Sequence, residues 1–209
     1  MSNPFLQGLP EAQGLYDPSN ERDACGIGFV ANIKNKTSHK IVTDGLEILK
    51  RLVHRGAVGA DPQAGDGAGI LCQLPDAFLR AEAAKLKIDL PAIGHYACGI
   101  VNLPKSTKER DLCVAGLEKA VAEEGQTLLG WRDVPVNEAA LSEGVRTTAP
   151  LVRQIFIGRN AALATQDDFE RKLMVIRKRS FNQINESRAP GLADYYLPSL
   201  SSRTIVYKG

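Results

Sequence analysis

The sequence predicts an α+β domain, and three observations carry that expectation. Several short segments place apolar residues at every second position, the period of a half-buried strand: Ile27, Phe29, Ala31 and Ile33 are the first set. Other segments repeat at helical spacing, most strongly Phe169, Leu173, Ile176 and Ile184. The two kinds of segment are interspersed without the strict alternation of a doubly wound sheet, and no internal repeat is present, so a layered α+β arrangement follows.

Taken in order, residues 1–24 carry Pro4, Pro10 and Pro18 and no sustained period, which reads as a loose leader. A strand is expected from Cys25 to Ile33. A helix follows over 41–55, on Leu46, Leu49 and Val53 with Ile48 and Leu52 widening the apolar face, and ends where Gly56 follows Arg55. The glycine-rich run 56–69 excludes a regular element. Residues 70–74 form a short strand closed by Pro75, and Asp76 is placed to cap a helix to Leu86. His95 to Leu103 is a strand stopped by Pro104, with His95 expected as a satisfied core histidine. Ser106 and Glu109 fit a capping box that opens a helix to about Glu124. Then come a strand over 127–134, a turn-rich stretch to Pro150 and a strand over 152–157. A long helix follows, capped by Thr165 with Asp168. Strands over 193–197 and 203–207 finish the chain, the last expected to be an edge or incompletely paired.

Composition narrows the function classes. Of 209 residues 44% are hydrophobic and the formal charge is +2, which excludes wholesale disorder. Arg171, Lys172, Arg177, Lys178 and Arg179 lie within one helical segment, so a solvated helix face accounts for them better than a nucleic-acid stripe. The N-terminus lacks the basic start and apolar core of a secretory signal, and no stretch is apolar for the ~20 residues a bilayer requires. Cys25, Cys72, Cys98 and Cys113 show no CxxC spacing and do not cluster with His39, His54 or His95. Zinc ribbons and redox pairs are therefore not expected, and a cytoplasmic protein with reduced thiols is. Cys72, Cys98 and Cys113 fall in apolar patterns and read as inert.

Three features bear on chemistry. Cys25 stands where the leader meets the first ordered segment. One reading is a strand-start cysteine without function. The other removes the leader, giving Cys25 a free α-amine of pKa ~7.7–8.0 beside a thiol of ~8.5; proton transfer between them then costs little. Ala24 and Gly26 are small flanks that leave the bond between 24 and 25 accessible. His54, Arg55 and Gly56 end the first helix: a cation there suits the helix dipole, or else the guanidinium turns inward to hold the cysteine region or a carboxylate. Gly65 to Gly69 satisfies neither GxGxxG nor GxxxxGK[ST] and leads into a strand, so a tight turn is expected and a nucleotide loop is not.

Together the series ERDACGIGFVA, LVHRGAVGADPQAGDGAGIL and YYLPSLSSRTIVYKG resembles, in order from about Leu15 to Gly209, the start of the large subunit of the glutamate synthase family. The resemblance implies a class II glutamine amidotransferase domain over 25–209 behind a propeptide of 1–24. Its implied fold is the N-terminal nucleophile hydrolase αββα sandwich, incomplete at the C-terminus. It implies Cys25 as nucleophile after cleavage at Ala24, Arg55 and Gly56 supporting the active site, and a structural role for Asp66. Glutamine is the implied substrate, its ammonia passing to downstream synthase domains of the same polypeptide that convert 2-oxoglutarate to glutamate. FMN and a 3Fe-4S cluster belong to those later domains, with electrons from NADPH by way of a small subunit, or from ferredoxin; no cofactor motif and no metal site is expected in these 209 residues.

Two family features are missing. None of the nine Asn residues precedes Gly, so no Asn-Gly oxyanion pair exists, and no H-x-R-[FWY]-S-T segment is present to grip the glutamine carboxylate. In the family both follow the IVYKG segment. Losing one oxyanion donor costs ~10²–10³ in turnover, so the fragment alone is expected to have negligible glutaminase activity. The alternatives are another class II amidotransferase, which the GADPQAGDGAG loop and SRTIVYKG ending disfavour, and a non-catalytic regulatory or scaffold module that retains the fold.

Overall fold

A computed structural model describes residues 11–14, 17, 26–56, 61, 64–65, 67–186 and 194–208. The chain divides into two compact units, Met1–Ala68 and Gly69–Gly209. Among its described residues the first contains α1 (His39–Arg51), followed by a 3₁₀ turn over Val53–Arg55.

Among its described residues the second unit holds six strands and four helices: β1 (Gly69–Gln73), α2 (Asp76–Lys85), β2 (Tyr96–Leu103), α3 (Thr107–Glu123), β3 (Thr127–Asp133), α4 (Glu143–Thr148), β4 (Leu151–Gly158), α5 (Gln166–Glu186), β5 (Tyr196–Ser201) and β6 (Thr204–Lys208). A four-stranded sheet runs in the order β3-β4-β2-β5 and a two-stranded sheet pairs β1 with β6; every pairing is antiparallel. The expected α+β class with two antiparallel sheets is what forms.

Side-chain alternation along the central strands builds the layers. Ala97, Val101 and Leu103 of β2, with Ile155 and Ile157 of β4, point to one side, against Cys113, Leu117 and Val121 of α3 and Phe169, Leu173 and Ile176 of α5. The intervening Tyr96, Cys98, Ile100 and Phe156 point to the other side, against Leu79 and Ala83 of α2 and Ile205 of β6. The four-stranded sheet is thus covered by a helical layer on one face and by the second sheet with α2 on the other. Pro198, which has no N–H to offer a ladder, lies in edge strand β5 beside the register shift between Ile100 and Asn102. A second shift in β3 is carried by Gly130, at φ 154, where a Cβ would sit 2.7 Å from Ile88 Cδ1.

Several local expectations hold. Thr165 and Asp168 form a reciprocal cap on α5: Asp168 N donates to Thr165 Oγ1 at 3.1 Å, and Thr165 N donates to Asp168 Oδ2 at 3.0 Å. The basic residues of α5 include three held in ion pairs, Arg171 with Asp168, Lys172 with Glu124, and Arg179 with Glu123 and Glu124. Cys98 and Cys113 are buried free thiols and Cys72 is half-buried.

Other expectations are corrected. Residues 26–33 form no strand: nothing among the described residues pairs with them, so their alternation has no ladder to join, and Ile27, Phe29 and Ile33 are 90%, 89% and 98% exposed. Asp76 does not cap α2. It is the first helical residue, and its carboxylate instead accepts from Arg80 Nε at 3.0 Å and Tyr96 OH at 2.8 Å. Ser106 is the N-cap of α3 but its side chain makes no capping bond, so the Ser106–Glu109 box does not close. His95 is exposed, one residue before β2, with Arg159 Nη2 3.1 Å from its ring. β5 lies further along than 193–197. The turn-rich stretch contains α4, capped by Ser142 Oγ accepting from Val145 N at 3.3 Å. β6 is an edge strand, as expected, since its sheet has only two strands, but its pairing is complete: all five residues register with β1. On its other side Val206 N donates to Ser199 Oγ at 3.0 Å.

Candidate active site

Of the residues singled out for catalysis, Cys25 and Asp66 lie outside the described residues, whereas Arg55 and Gly56 lie within them. The local sequence explains how the latter pair is presented. α1 ends at Arg51, and Leu52 N still reaches Ile48 O at 3.1 Å and Leu49 O at 3.2 Å. The chain then tightens into a 3₁₀ turn, with Arg55 N donating to Leu52 O at 2.8 Å and Gly56 N to Val53 O at 3.1 Å. His54 is spent locally, its Nδ1 2.9 Å from Arg51 O. Arg55 is half-buried, and Gly56 is exposed with extended backbone (φ −90, ψ 146).

The segment following Cys25 packs on this same helix end. A Cβ on Gly26 would stand 2.7 Å from Leu52 Cδ2, and one on Gly28 would stand 2.5 Å from Ile48 Cγ2. Leu52 Cδ2 ends a flexible side chain and can move aside, but Ile48 Cγ2 sits on a branched Cβ, so Gly28 above all is what lets the backbone lie on α1 one turn before His54-Arg55-Gly56. The structure therefore brings the chain just after Cys25 and the Arg55 turn onto one helix end, as the reading of Arg55 as a support for the cysteine region requires; what the sequence pattern did not reveal is the glycine contact that does it. A glycine contact leaves no periodic side-chain signal.

The second unit holds polar groups that the sequence reading did not flag. The SLSSR segment carries the end of β5 and the β5–β6 turn, which Glu170 of α5 holds: Ser202 N and Oγ donate to Oε1 at 2.7 and 2.6 Å, and Ser201 Oγ donates to Oε2 at 2.9 Å. Between the sheets, Arg132 donates through Nη1 to Gln154 Oε1 at 2.9 Å and through Nη2 to Glu82 Oε2 at 2.8 Å. The available signal was a glutamine on the inward side of β4, in step with Val152 and Phe156. Burial raises the thiol pKa of Cys72, Cys98 and Cys113, the last to about 11, which keeps all three protonated and unreactive near neutrality. Among the described residues no three His, Cys, Asp or Glu side chains converge to hold a metal ion.

Residues 25–209 match the family described as glutamine amidotransferases class-II. The chain belongs to the class-II glutamine amidotransferases. It is similar to the glutamate synthase [NADPH] large chain of Bacillus subtilis, with 47% identity over 96% of this chain and 13% of that protein. It is also similar to the glutamate synthase [NADH] of Schizosaccharomyces pombe, 39% identical over 99% of this chain and 10% of the relative. With ferredoxin-dependent glutamate synthase 2 of Arabidopsis thaliana the identity is 36%, over 100% of this chain and 13% of the relative. The chain thus spans about an eighth or less of these relatives' length. A class-II amidotransferase has the N-terminal nucleophile hydrolase fold, and the two facing antiparallel sheets with their helices are its layers.

Proposed function

We propose that this class-II amidotransferase chain is the glutaminase portion of a glutamate synthase, with Cys25 as its nucleophile once residues 1–24 are removed. The observation that carries the reading is that the family match begins at Cys25 and leaves residues 1–24 outside it. Three relatives with three different electron donors in their names are all glutamate synthases.

In this reading the α-amine of Cys25 takes the thiol proton, and the thiolate attacks the side-chain amide carbon of glutamine. The proton then passes to the departing nitrogen, ammonia leaves, and a γ-glutamyl thioester remains on sulfur. Water, deprotonated by the same amine, releases glutamate and restores the thiol. Arg55 and Gly56 act by supporting the nucleophile region, and the close seating of Gly26 and Gly28 on Leu52 and Ile48 is the contact that lets them do so. The Asn-Gly oxyanion donors and the carboxylate clamp, for which this sequence has no motif, belong in the reading to the longer polypeptide. The synthase chemistry, FMN, the 3Fe-4S cluster and the electron-supplying subunit or ferredoxin belong there too, and no step is routed through them here. A cytoplasmic location completes the proposal; among the described residues no helix is long and apolar enough to cross a membrane.

Intact-mass and N-terminal analysis of the longer polypeptide tests the nucleophile directly. Cys25 as first residue, with a glutamine-derived thioester trapped on it and lost in Cys25→Ser, is the expected result. Full glutaminase turnover with residues 1–24 still attached would overturn it. The 209-residue chain by itself is expected to turn over glutamine at least ~10²-fold more slowly than the longer protein.

A further inference from the structure

A cavity of about 780 Å³ lies in the second unit between the start of α3, the ends of β3 and β4, and the segment that carries α4. Its charged lining consists of Lys105, Arg110, Arg146, Arg153, Asp133 and Glu138, a formal balance of four cations against two carboxylates, with apolar side chains completing the walls. The volume falls in the range of small-molecule sites.

The partners of these groups show which charges are already compensated. Arg153 Nε is 2.8 Å from Asp133 Oδ1 without making a hydrogen bond to it, and its guanidinium lies 5.0 Å from the Trp131 ring centroid, so this cation already has a carboxylate and a ring beside it. Lys105 Nζ donates to the carbonyls of Arg146 and Thr147, where it caps the C-terminal end of α4 and pins that wall. Among the described residues Arg146 donates to a neutral acceptor, Leu141 O at 3.1 Å. Arg110 likewise bonds Lys105 O at 3.3 Å and Thr107 Oγ1 at 3.2 Å. Each guanidinium has five N–H donors in a fork suited to oxyanions, and here most of those donors remain unused by protein carboxylates. Ser142 capping the front of α4 and Lys105 its rear make this wall a built element of the cavity.

We propose that this cavity binds a small dianion, held by Arg110 and Arg146, with the apolar walls accepting a short carbon chain. Two sources share that chemistry, an organic dicarboxylate and a phosphate. The site is separate from the Cys25 region in sequence, and the proposal does not depend on the glutaminase reading.

Succinate and inorganic phosphate are the probes, titrated into the 209-residue chain by calorimetry and by melting temperature, with acetate as the monoanion control. Saturable binding of either dianion below about 10 mM, weaker for acetate and falling as salt is raised, is expected. Tighter succinate identifies the dicarboxylate source, and tighter phosphate the phosphate source. Arg146→Gln and Arg110→Gln should each weaken binding about tenfold. Glu138→Gln, which removes a repelling carboxylate from the lining, should tighten it about twofold. Absence of saturable binding by both probes overturns the proposal, as does binding that none of the three substitutions changes.

Discussion

Gln154 is fully buried in β4, and its Oε1 accepts from Arg132 Nη1 at 2.9 Å. The Arg132 side chain is only 10% exposed, so water cannot readily replace that acceptor. Gln154→Leu keeps similar bulk but removes it. The second bond of Gln154, Nε2 to Tyr207 OH, is long at 3.4 Å and adds little. The cost is therefore that of stranding one donor of a buried cation, about 1.5–3 kcal/mol. For a chain of this size that lowers the melting temperature by about 3–12 °C. Urea unfolding of wild type, Gln154→Leu, Arg132→Met and the double variant gives the coupling directly. With the guanidinium already gone, Gln154→Leu should cost much less. A single variant within about 0.5 kcal/mol of wild type, or strict additivity in the double, would refute the assignment of Gln154 as the acceptor that stabilises Arg132 between the sheets.

Thr165→Ala should cost about 1 kcal/mol, because a real cap on α5 is lost, whereas Ser106→Ala should cost almost nothing; equal effects measured by urea unfolding would contradict the caps described. Hydrogen bonds from Lys172 and then Arg179 hold the Glu124 carboxyl below its ordinary range, so it stabilises the fold above a pH of about 4.3 and stops doing so as pH falls through its lowered folded-state value. The melting-temperature gap between wild type and Glu124→Gln should accordingly be open at pH 7 and close in strong acid, and a gap independent of pH would count against it. Iodoacetamide at pH 8 should label Cys25 before the others, since burial raises the pKa of Cys72, Cys98 and Cys113; peptide mapping that finds Cys98 or Cys113 modified first in native protein would be inconsistent with their burial.

The sheets and long helices were legible because their signals are local and redundant. β2 and β4 are apolar on both faces, as strands buried between two layers must be, and α5 carries both a periodic face and a complete capping box. Single-residue caps were less legible. Asp76 has the chemistry of an N-cap, yet Tyr96 and Arg80 compete for its carboxylate, and a hydroxyl 20 residues away in sequence leaves no local mark. His95 is expected in the core because it falls in the expected strand beside Tyr96, but β2 begins one residue later, at the first side chain that faces α2.

The segment after Cys25 shows where a period misleads. Alternation of Ile27, Phe29, Ala31 and Ile33 specifies two faces, not a partner, and backbone N–H and C=O groups form a strand only when a neighbour completes the ladder. What the structure exploits instead is the other half of the pattern, the glycines at 26 and 28. Their missing Cβ atoms bring the backbone onto Leu52 and Ile48, leaving the apolar half outward. One consequence separates the two accounts. If the alternation were the determinant, Gly28→Ala would be tolerated, since a strand accepts alanine. If contact with α1 is the determinant, the added Cβ meets Ile48 Cγ2, a methyl fixed by its own branched rotamer, and the cost is that of overpacking, about 1–3 kcal/mol. The segment that leads from Cys25 would then lift from the Arg55 turn. In the longer polypeptide Gly28→Ala should therefore slow glutamine turnover without altering the Cys25 thiol itself, and trimming the obstruction with Ile48→Ala should restore part of the loss.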